Sequence, residues 1–418
     1  MDIRVFPRPL GGHLDVISSK SLSHRYVIAA GLSKGKSVIE NVLDSDDLDA
    51  TKKALESLNV TIDGNDIIGR DLAVVNPIID ANASGSTVRF FIPIALMLDE
   101  AVIFEGQNRL PDRPLDVYET LFKDKGVTYE RLTEKHLPIK VKGPLKGGHF
   151  RLSGNVSSQF ITGLLFACPL LKEDSTIEIT DQFESQGYVD LTCDVLKQFG
   201  IEIKKEGQQF FIKGNQSYQP QKITVEGDYS QAAFFMVAGL LGQTLTLKKL
   251  NPNSLQGDQK IVDIIAQMQG DIQYIENKYV INPSYTKGMT IDLSQIPDLG
   301  PILMVLAALT EGQTTFTNAK RLRIKESDRL EVMYQILKKF EVPVTLHDDT
   351  LTVTGIKTLK GNQTFETHED HRIAMALMIA SSRVSAPIVI KDIEVINKSY
   401  KTFLKDFLSL GGYYETIK

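Results

Sequence analysis

The sequence predicts an α/β (α+β) protein of two similar domains, each assembled from three copies of one supersecondary unit. Three observations predict this. A polar segment rich in Ser, Asp or Gly leads into a nearly all-apolar helical stretch six times, starting near Ser21, Gly85, Ser158, Asp228, Asp298 and Asp370. Successive starts lie about 70 residues apart, a length suited to one repeating unit. A second helical stretch follows each time, with apolar residues at helical spacing such as Leu191, Val195 and Phe199. Between the helices run β-rich segments such as TIEITDQF, QTLTLKKL and APIVIKDIEVI.

The first helix of each copy, as in GSTVRFFIPIALML or DYSQAAFFMVAGLLG, is apolar on every face and therefore predicts burial. The second, as in DDLDATKKALESLNV or DRLEVMYQILKKF, is amphipathic and predicts a helix with one packed face. At 418 residues the chain is too long for one core. The seam is expected near Val225, giving a domain of residues 13–224 and a second that includes 225–418. From the pattern alone, the first strand fits either half.

Composition narrows the function. Apolar residues are 42% and charged residues 24%, the balance of a globular protein. A net charge of -5 argues against nucleic acid or anionic lipid as partners, so any anion site must be a local concentration of Lys and Arg. Cys168 and Cys193 sit in apolar helical text without a CxxC and read as buried small hydrophobes of a reduced compartment. The start MDIRVFPRPLGG lacks the pattern of a leader, and no apolar run approaches membrane-spanning length, so a cytoplasmic location is expected.

The polar leads into the apolar helices are the candidates for chemistry. A helix start presents unpaired N–H groups and partial positive charge, which favour a bound anion. Several leads add cations: Lys20 and Arg25 in SSKSLSHR, Arg89 in ASGSTVR, Arg329 in KESDR and Arg372 in EDHR. Cations there are misplaced unless anions sit among them. Ser157, Ser158 and Gln159 supply uncharged donors, with capping as the alternative role. RLRIKESDRL packs Arg321, Arg323, Lys325, Glu326, Asp328 and Arg329 together, and a carboxylate among cations can move a proton. Asp298 opens IPDLGPILMVLAAL, as a helix cap or as a base. His368 and His371 in THEDH lack a third ligand and have Arg372 beside them, so no metal is expected. Nucleotide-binding glycine motifs are absent from the sequence.

In order along the chain, SSKSLSHR, LDSDD, ASGSTVR, the DRP of RLPDRP, NVSSQF, ESQGY, VEGDYS, IPDLG, RIKESDR, EDHR and the late KSY resemble the enolpyruvyl transferases, and among them the branch acting on 3-phosphoshikimate. The resemblance implies two domains of three βαβαββ units in an inside-out, barrel-like arrangement, with the N-terminal strand joining the C-terminal half, so that the second domain is 1–12 plus 225–418. It implies transfer of the enolpyruvyl group of phosphoenolpyruvate to the 5-hydroxyl of 3-phosphoshikimate with release of phosphate, a shikimate-pathway step, by a monomer needing no cofactor. Carried over by position, it places Lys20, Gly85, Arg113, Gln159, Arg329, Arg372 and Lys398 around phosphoenolpyruvate. It places Lys20, Ser21, Arg25, Ser157, Ser158, Gln159, Ser185, Asp298, Arg321 and Lys325 around 3-phosphoshikimate. Asp298 is then the proton acceptor and Glu326 the acid, with Lys20 touching both ligands.

The match departs from the family pattern at Ala83, Phe90, Arg321 and Lys401, where Asn, Pro, Asn and Pro are common. Two alternatives remain. The sister enzyme using UDP-N-acetylglucosamine carries a Cys in the loop that here reads EGQNRLPDRP, without one. A non-catalytic anion-binding relative is the other.

Overall fold

In the computed structural model, which describes residues 1–417, the described residues form twelve α-helices and six four-stranded sheets. The helices run in six pairs. They are α1 (Lys20–Leu32) and α2 (Asp46–Glu56), α3 (Gly85–Ala95) and α4 (Asp116–Phe122), α5 (Ser158–Ala167) and α6 (Gln186–Gln198), α7 (Tyr229–Leu241) and α8 (Lys260–Gln267), α9 (Gly300–Ala308) and α10 (Arg329–Lys339), and α11 (His371–Ala380) and α12 (Phe403–Ser409).

The odd-numbered helices are those whose sequence is apolar all round. Their starts are fixed by short polar side chains. Ser19 Oγ accepts from Leu22 N at 3.4 Å in α1, and Ser84 Oγ from Thr87 N at 3.2 Å in α3. Ser157 Oγ accepts from Gln159 N at 3.3 Å, Asp228 Oδ1 from Gln231 N at 2.9 Å and Asp370 Oδ1 from Arg372 N at 2.9 Å. Each satisfies a backbone N–H that the helix itself leaves unbonded, worth about 1 kcal/mol. The exception is α9. Asp298 lies in a preceding 3-10 turn, Pro297–Leu299, and the residue at the α9 cap is Leu299. The capping role open to Asp298 in the sequence is therefore not the one it takes.

Every sheet repeats one pattern: a parallel pair of strands followed by two antiparallel neighbours. With the helices this is a βαβαββ unit. Three strands are contributed from afar in sequence. Gly12–Asp15 runs parallel to Leu245–Lys248, and Lys222–Thr224 runs parallel to Gly35–Glu40. The first strand, Asp2–Phe6, lies antiparallel between Ile388–Ile390 and Tyr413–Ile417.

The chain divides into two compact units: Ser18–Val225, and Met1–Ile17 with Glu226 onward. Both expected boundaries shift. The first moves from residue 12 to Ile17 because the Gly12–Asp15 strand pairs within the second unit and Asp228 N donates to Ile17 O at 2.9 Å. The second moves past Val225, whose N–H donates to Glu40 O at 3.0 Å and whose carbonyl accepts from Asn41 at 2.7 Å. Hydrogen-bonded pairing, which spacing alone does not reveal, decides membership.

Each unit has its own core. Val27, Ile28, Phe91, Ile92, Phe160 and Leu164 from α1, α3 and α5 anchor one, and Phe234, Phe235, Leu303, Leu306, Met375 and Met378 from α7, α9 and α11 the other. Close packing needs small residues at crossings: a Cβ on Gly163 of α5 would fall 2.3 Å from Arg89 O of α3. Burying these helices on every side leaves their capped starts as the places where polar chemistry collects. No described helix is long and apolar enough to cross a membrane.

Candidate anion-binding and acid–base residues

In the N-terminal unit the starts of α1, α3 and α5 carry the predicted residues. Lys20 opens α1 and donates to Asp47 Oδ2, at the start of α2, at 3.0 Å. Arg25, one and a half turns further, is buried. Its guanidinium donates to Thr192 Oγ1 at 2.8 Å, to Ser21 O at 2.8 Å and to Tyr188 O at 2.9 Å, all neutral oxygens. Burial pushes its pKa down to about 10, the mark of a cation short of negative charge.

Arg89 of α3 donates to Gln159 Oε1 at 2.8 Å, while Gln159 Nε2 donates to Ser86 Oγ at 2.8 Å. Gln159 is thereby fixed between the starts of α3 and α5. Gly85 explains itself by what a side chain would hit: a Cβ there would lie 2.7 Å from Arg113 Nη1 and 2.8 Å from Arg89 Nη1. Two guanidinium groups thus converge on one helix start, where both the helix and the side chains favour an anion. Ser157 caps α5 and Ser158 is its first helical residue. Ser185 stands before α6 in the left-handed region at φ 51°, buried. A non-glycine residue held there marks a specifically built loop.

In the C-terminal unit the structure gathers Asp298, Lys325, Glu326, Arg329, Asp370 and Arg372. Arg329, 1% exposed, is the hub. It donates through Nη1 to Asp298 Oδ1 at 2.8 Å, through Nη2 to Glu326 Oε2 at 2.8 Å, and through Nε and Nη2 to the two oxygens of Asp370 at 2.7 and 3.1 Å. Four donor contacts to three carboxylates raise its pKa although burial opposes this. Most of its donors already serve protein carboxylates, so its first role is to hold Asp298 and Glu326.

Asp298 is 21% exposed on its side chain and also faces Lys325 Nζ at 3.4 Å and Arg372 Nη2 at 3.5 Å. Burial pushes this carboxyl up, but Arg372, Lys325 and Arg329 together outweigh it and hold it well below the usual range. It is a carboxylate at neutral pH, able to accept a proton. Burial lowers Lys325 to about 8, with Arg321 nearby pushing in the same direction and Asp298 opposing. Arg321 is buried in the 3-10 stretch Lys320–Ile324 just before it. Lys398 ends the 3-10 stretch Ile393–Lys398, which packs along α11, and is buried.

The sequence marks Asp370 only as a helix start, and it gives Asp47 and Asp258 no individual role. Asp47 lies within LDSDD, Asp370 precedes HR, and Asp258 follows QG. Asp258 is 1% exposed and accepts from Ser230 of α7. Burial, then the nearby Asp298, push it up to about 6. Spacing in sequence could not have signalled that neighbourhood, because α7 and Asp298 are far apart along the chain.

The fold is shared with solved structures. EPSP synthase from Acinetobacter baumannii superposes with a TM-score of 0.83 at 26% identity, covering 99% of this chain and 100% of that one. The enolpyruvyl transferase NikO from Streptomyces tendae gives 0.78 at 16% identity over 99% and 98% of the two chains, a likeness of fold alone. The architecture is thus the enolpyruvyl transferase fold, two units of three βαβαββ repeats. Proteins named 3-phosphoshikimate 1-carboxyvinyltransferase from Clostridium novyi (strain NT) and Clostridium acetobutylicum are 44% and 46% identical, covering 98% of this chain and 98% and 97% of theirs. A sequence profile described as EPSP synthase (3-phosphoshikimate 1-carboxyvinyltransferase) matches residues 6–407. The chain belongs to the EPSP synthase family.

Proposed function

We propose that this chain transfers the enolpyruvyl group of phosphoenolpyruvate to the 5-hydroxyl of 3-phosphoshikimate and releases phosphate, by addition and elimination. Family membership over nearly the whole length supports the reaction. The observation that carries the mechanism is Asp298, an accessible carboxylate kept ionised by three cations and placed beside Glu326 on a shared guanidinium.

Both substrates are anions that repel one another, so their cations must be placed in advance. Positioning and fixed charge then supply most of the rate. In this reading Lys20, Ser21, Arg25, Ser157, Ser158, Gln159, Ser185, Arg321 and Lys325 hold 3-phosphoshikimate. Lys20, Gly85, Arg113, Gln159, Arg329, Arg372 and Lys398 hold phosphoenolpyruvate. Glu326, in its protonated form, gives a proton to the methylene carbon, leaving the adjacent carbon electron-poor. The acceptor hydroxyl attacks it and passes its proton to Asp298. Asp298 is ionised by its cations and so can take that proton as the hydroxyl oxygen bonds to carbon. The intermediate then loses phosphate, which carries away the proton held by Asp298, and returns a methyl proton to Glu326, giving the enol ether. The chain works in this reading as a cytoplasmic monomer on two small molecules.

Phosphate release tests it, with phosphoenolpyruvate and either 3-phosphoshikimate or UDP-N-acetylglucosamine. Release with the first acceptor alone is expected. Release with the second alone would assign the chain to the sister reaction, and release with neither would leave an anion-binding protein.

A further inference from the structure

Beneath the start of α3 lies a buried line of hydrogen bonds that none of the roles above uses. His24 Nδ1 of α1 lies 2.8 Å from Thr51 Oγ1 of α2, which lies 2.8 Å from Thr87 Oγ1 of α3. Thr87 Oγ1 donates at 2.8 Å to Ser84 Oγ, the cap of α3. Thr51, Thr87 and Ser84 are 0% exposed and His24 1%. We propose that His24, Thr51 and Thr87 form a positioning relay that sets the capped start of α3, with Gly85 and the guanidinium groups of Arg89 and Arg113, against Lys20 at the start of α1.

The direction of the line follows from its end. The Thr87 hydroxyl has one proton and gives it to Ser84, so it accepts from Thr51. Thr51 has then spent its proton and accepts from His24, which fixes the proton on Nδ1. Thr51 is the joint: one side chain on α2 bonded to both neighbouring helices. Asp47, one turn earlier on the same helix, is the partner of Lys20, so α2 registers both helix starts at once. Phe90 of α3 closes the same interface, with the His24 ring edge-on at 6.3 Å and the Arg25 guanidinium over it at 5.6 Å.

A relay of this kind need not add much stability, because a matched apolar pair of the same shape can be nearly neutral. Its effect is directional. Hydrogen bonds at 2.8 Å fix a separation that methyl contacts leave loose. Gly85 shows how near the two guanidinium groups lie to this helix start, since one added carbon would meet both. The relay therefore acts on the phosphoenolpyruvate side of the reaction proposed above, on whose assignment of Gly85 and Arg113 this inference rests.

The test compares Thr51→Val, which keeps the shape and removes both bonds, with Thr51→Ser, which keeps the hydroxyl. Thr51→Val is expected to raise KM for phosphoenolpyruvate about ten-fold, as loss of two neutral hydrogen bonds can. KM for 3-phosphoshikimate should rise by less, because Gln159 links the start of α3 to that ligand only in part, and Thr51→Ser should remain near wild type. Equal rises in both KM values, or a serine variant as impaired as the valine one, would overturn the relay. A second readout is independent of turnover: amide exchange at residues 85–87 should quicken in Thr51→Val, but not in Thr51→Ser, while the start of α5 stays unchanged. Unaltered exchange there sinks the proposal. A wild-type protein without phosphate release would refute the reaction and leave exchange to decide the relay.

Discussion

Replacing Asp370 with Asn removes one charge and almost no volume, and the structure sets the consequence. Asp370 is fully buried and accepts from Arg329 Nε at 2.7 Å and Nη2 at 3.1 Å, from Ser327 Oγ at 3.0 Å and from Arg372 N at 2.9 Å. Breaking a buried ion pair by removing one partner costs about 3–5 kcal/mol. Two features reduce that here. Arg329 keeps Asp298 and Glu326, and an Asn oxygen still caps α11 nearly as well as Asp. About 3 kcal/mol is therefore expected, near the lower end of that range. For a unit of about 200 residues this is a fall in Tm of about 6–12 °C, measured by calorimetry at neutral pH. In an Arg329→Gln background the same change should cost less than about 1 kcal/mol, because the pair is already broken. A single variant within about 2 °C of wild type, or full additivity in the double variant, would refute the hub.

Other consequences are as direct. Lys325 at about 8 should give kcat/KM for 3-phosphoshikimate an alkaline limb near pH 8, and Lys325→Arg should move that limb upward; an unmoved limb assigns it to another group. Asp258 has a folded pKa of about 6 against 3.8, so its contribution to stability is present below about pH 4 and is lost as pH rises through 6. Asp258→Asn should thus stabilise the protein at pH 7.5, by up to about 3 kcal/mol, and bring no gain at pH 4; thermal melts at the two values would show it, and equal destabilisation at both would contradict it. Gly85→Ala should raise KM for phosphoenolpyruvate at least about ten-fold through the displaced Arg113 and Arg89, with Tm nearly unchanged. A KM that stays put would show that neither guanidinium group acts there.

Much of this was readable in the residues because the helices are so apolar. An all-apolar stretch has only one comfortable place, the interior, and its capped start is the only part left for polar chemistry. Lys20, Gly85, Ser158 and Arg372 could be placed on that ground alone. What could not be read depends on partners distant in sequence. Pairing of the Gly12–Asp15 strand with Leu245–Lys248 moved a domain boundary, and no periodicity encodes a pairing between strands so far apart. The residues alone leave Asp298 open between cap and base, because a carboxylate after Pro at an apolar run can be either. Its actual neighbours, Lys325, Arg329 and Arg372, come from other segments. The same is true of Thr51, a plain threonine on an amphipathic helix until His24 and Thr87 appear on either side.

In the proposed reaction Asp298 is the group that takes the proton. Turnover and 3-phosphoshikimate binding, measured side by side for wild type and Asp298→Ala, test this most directly. The predicted result is a fall in kcat of at least about 100-fold, the lower reach of general-base effects, with a calorimetric Kd changed by less than about ten-fold. Turnover close to wild type in that variant would contradict the account.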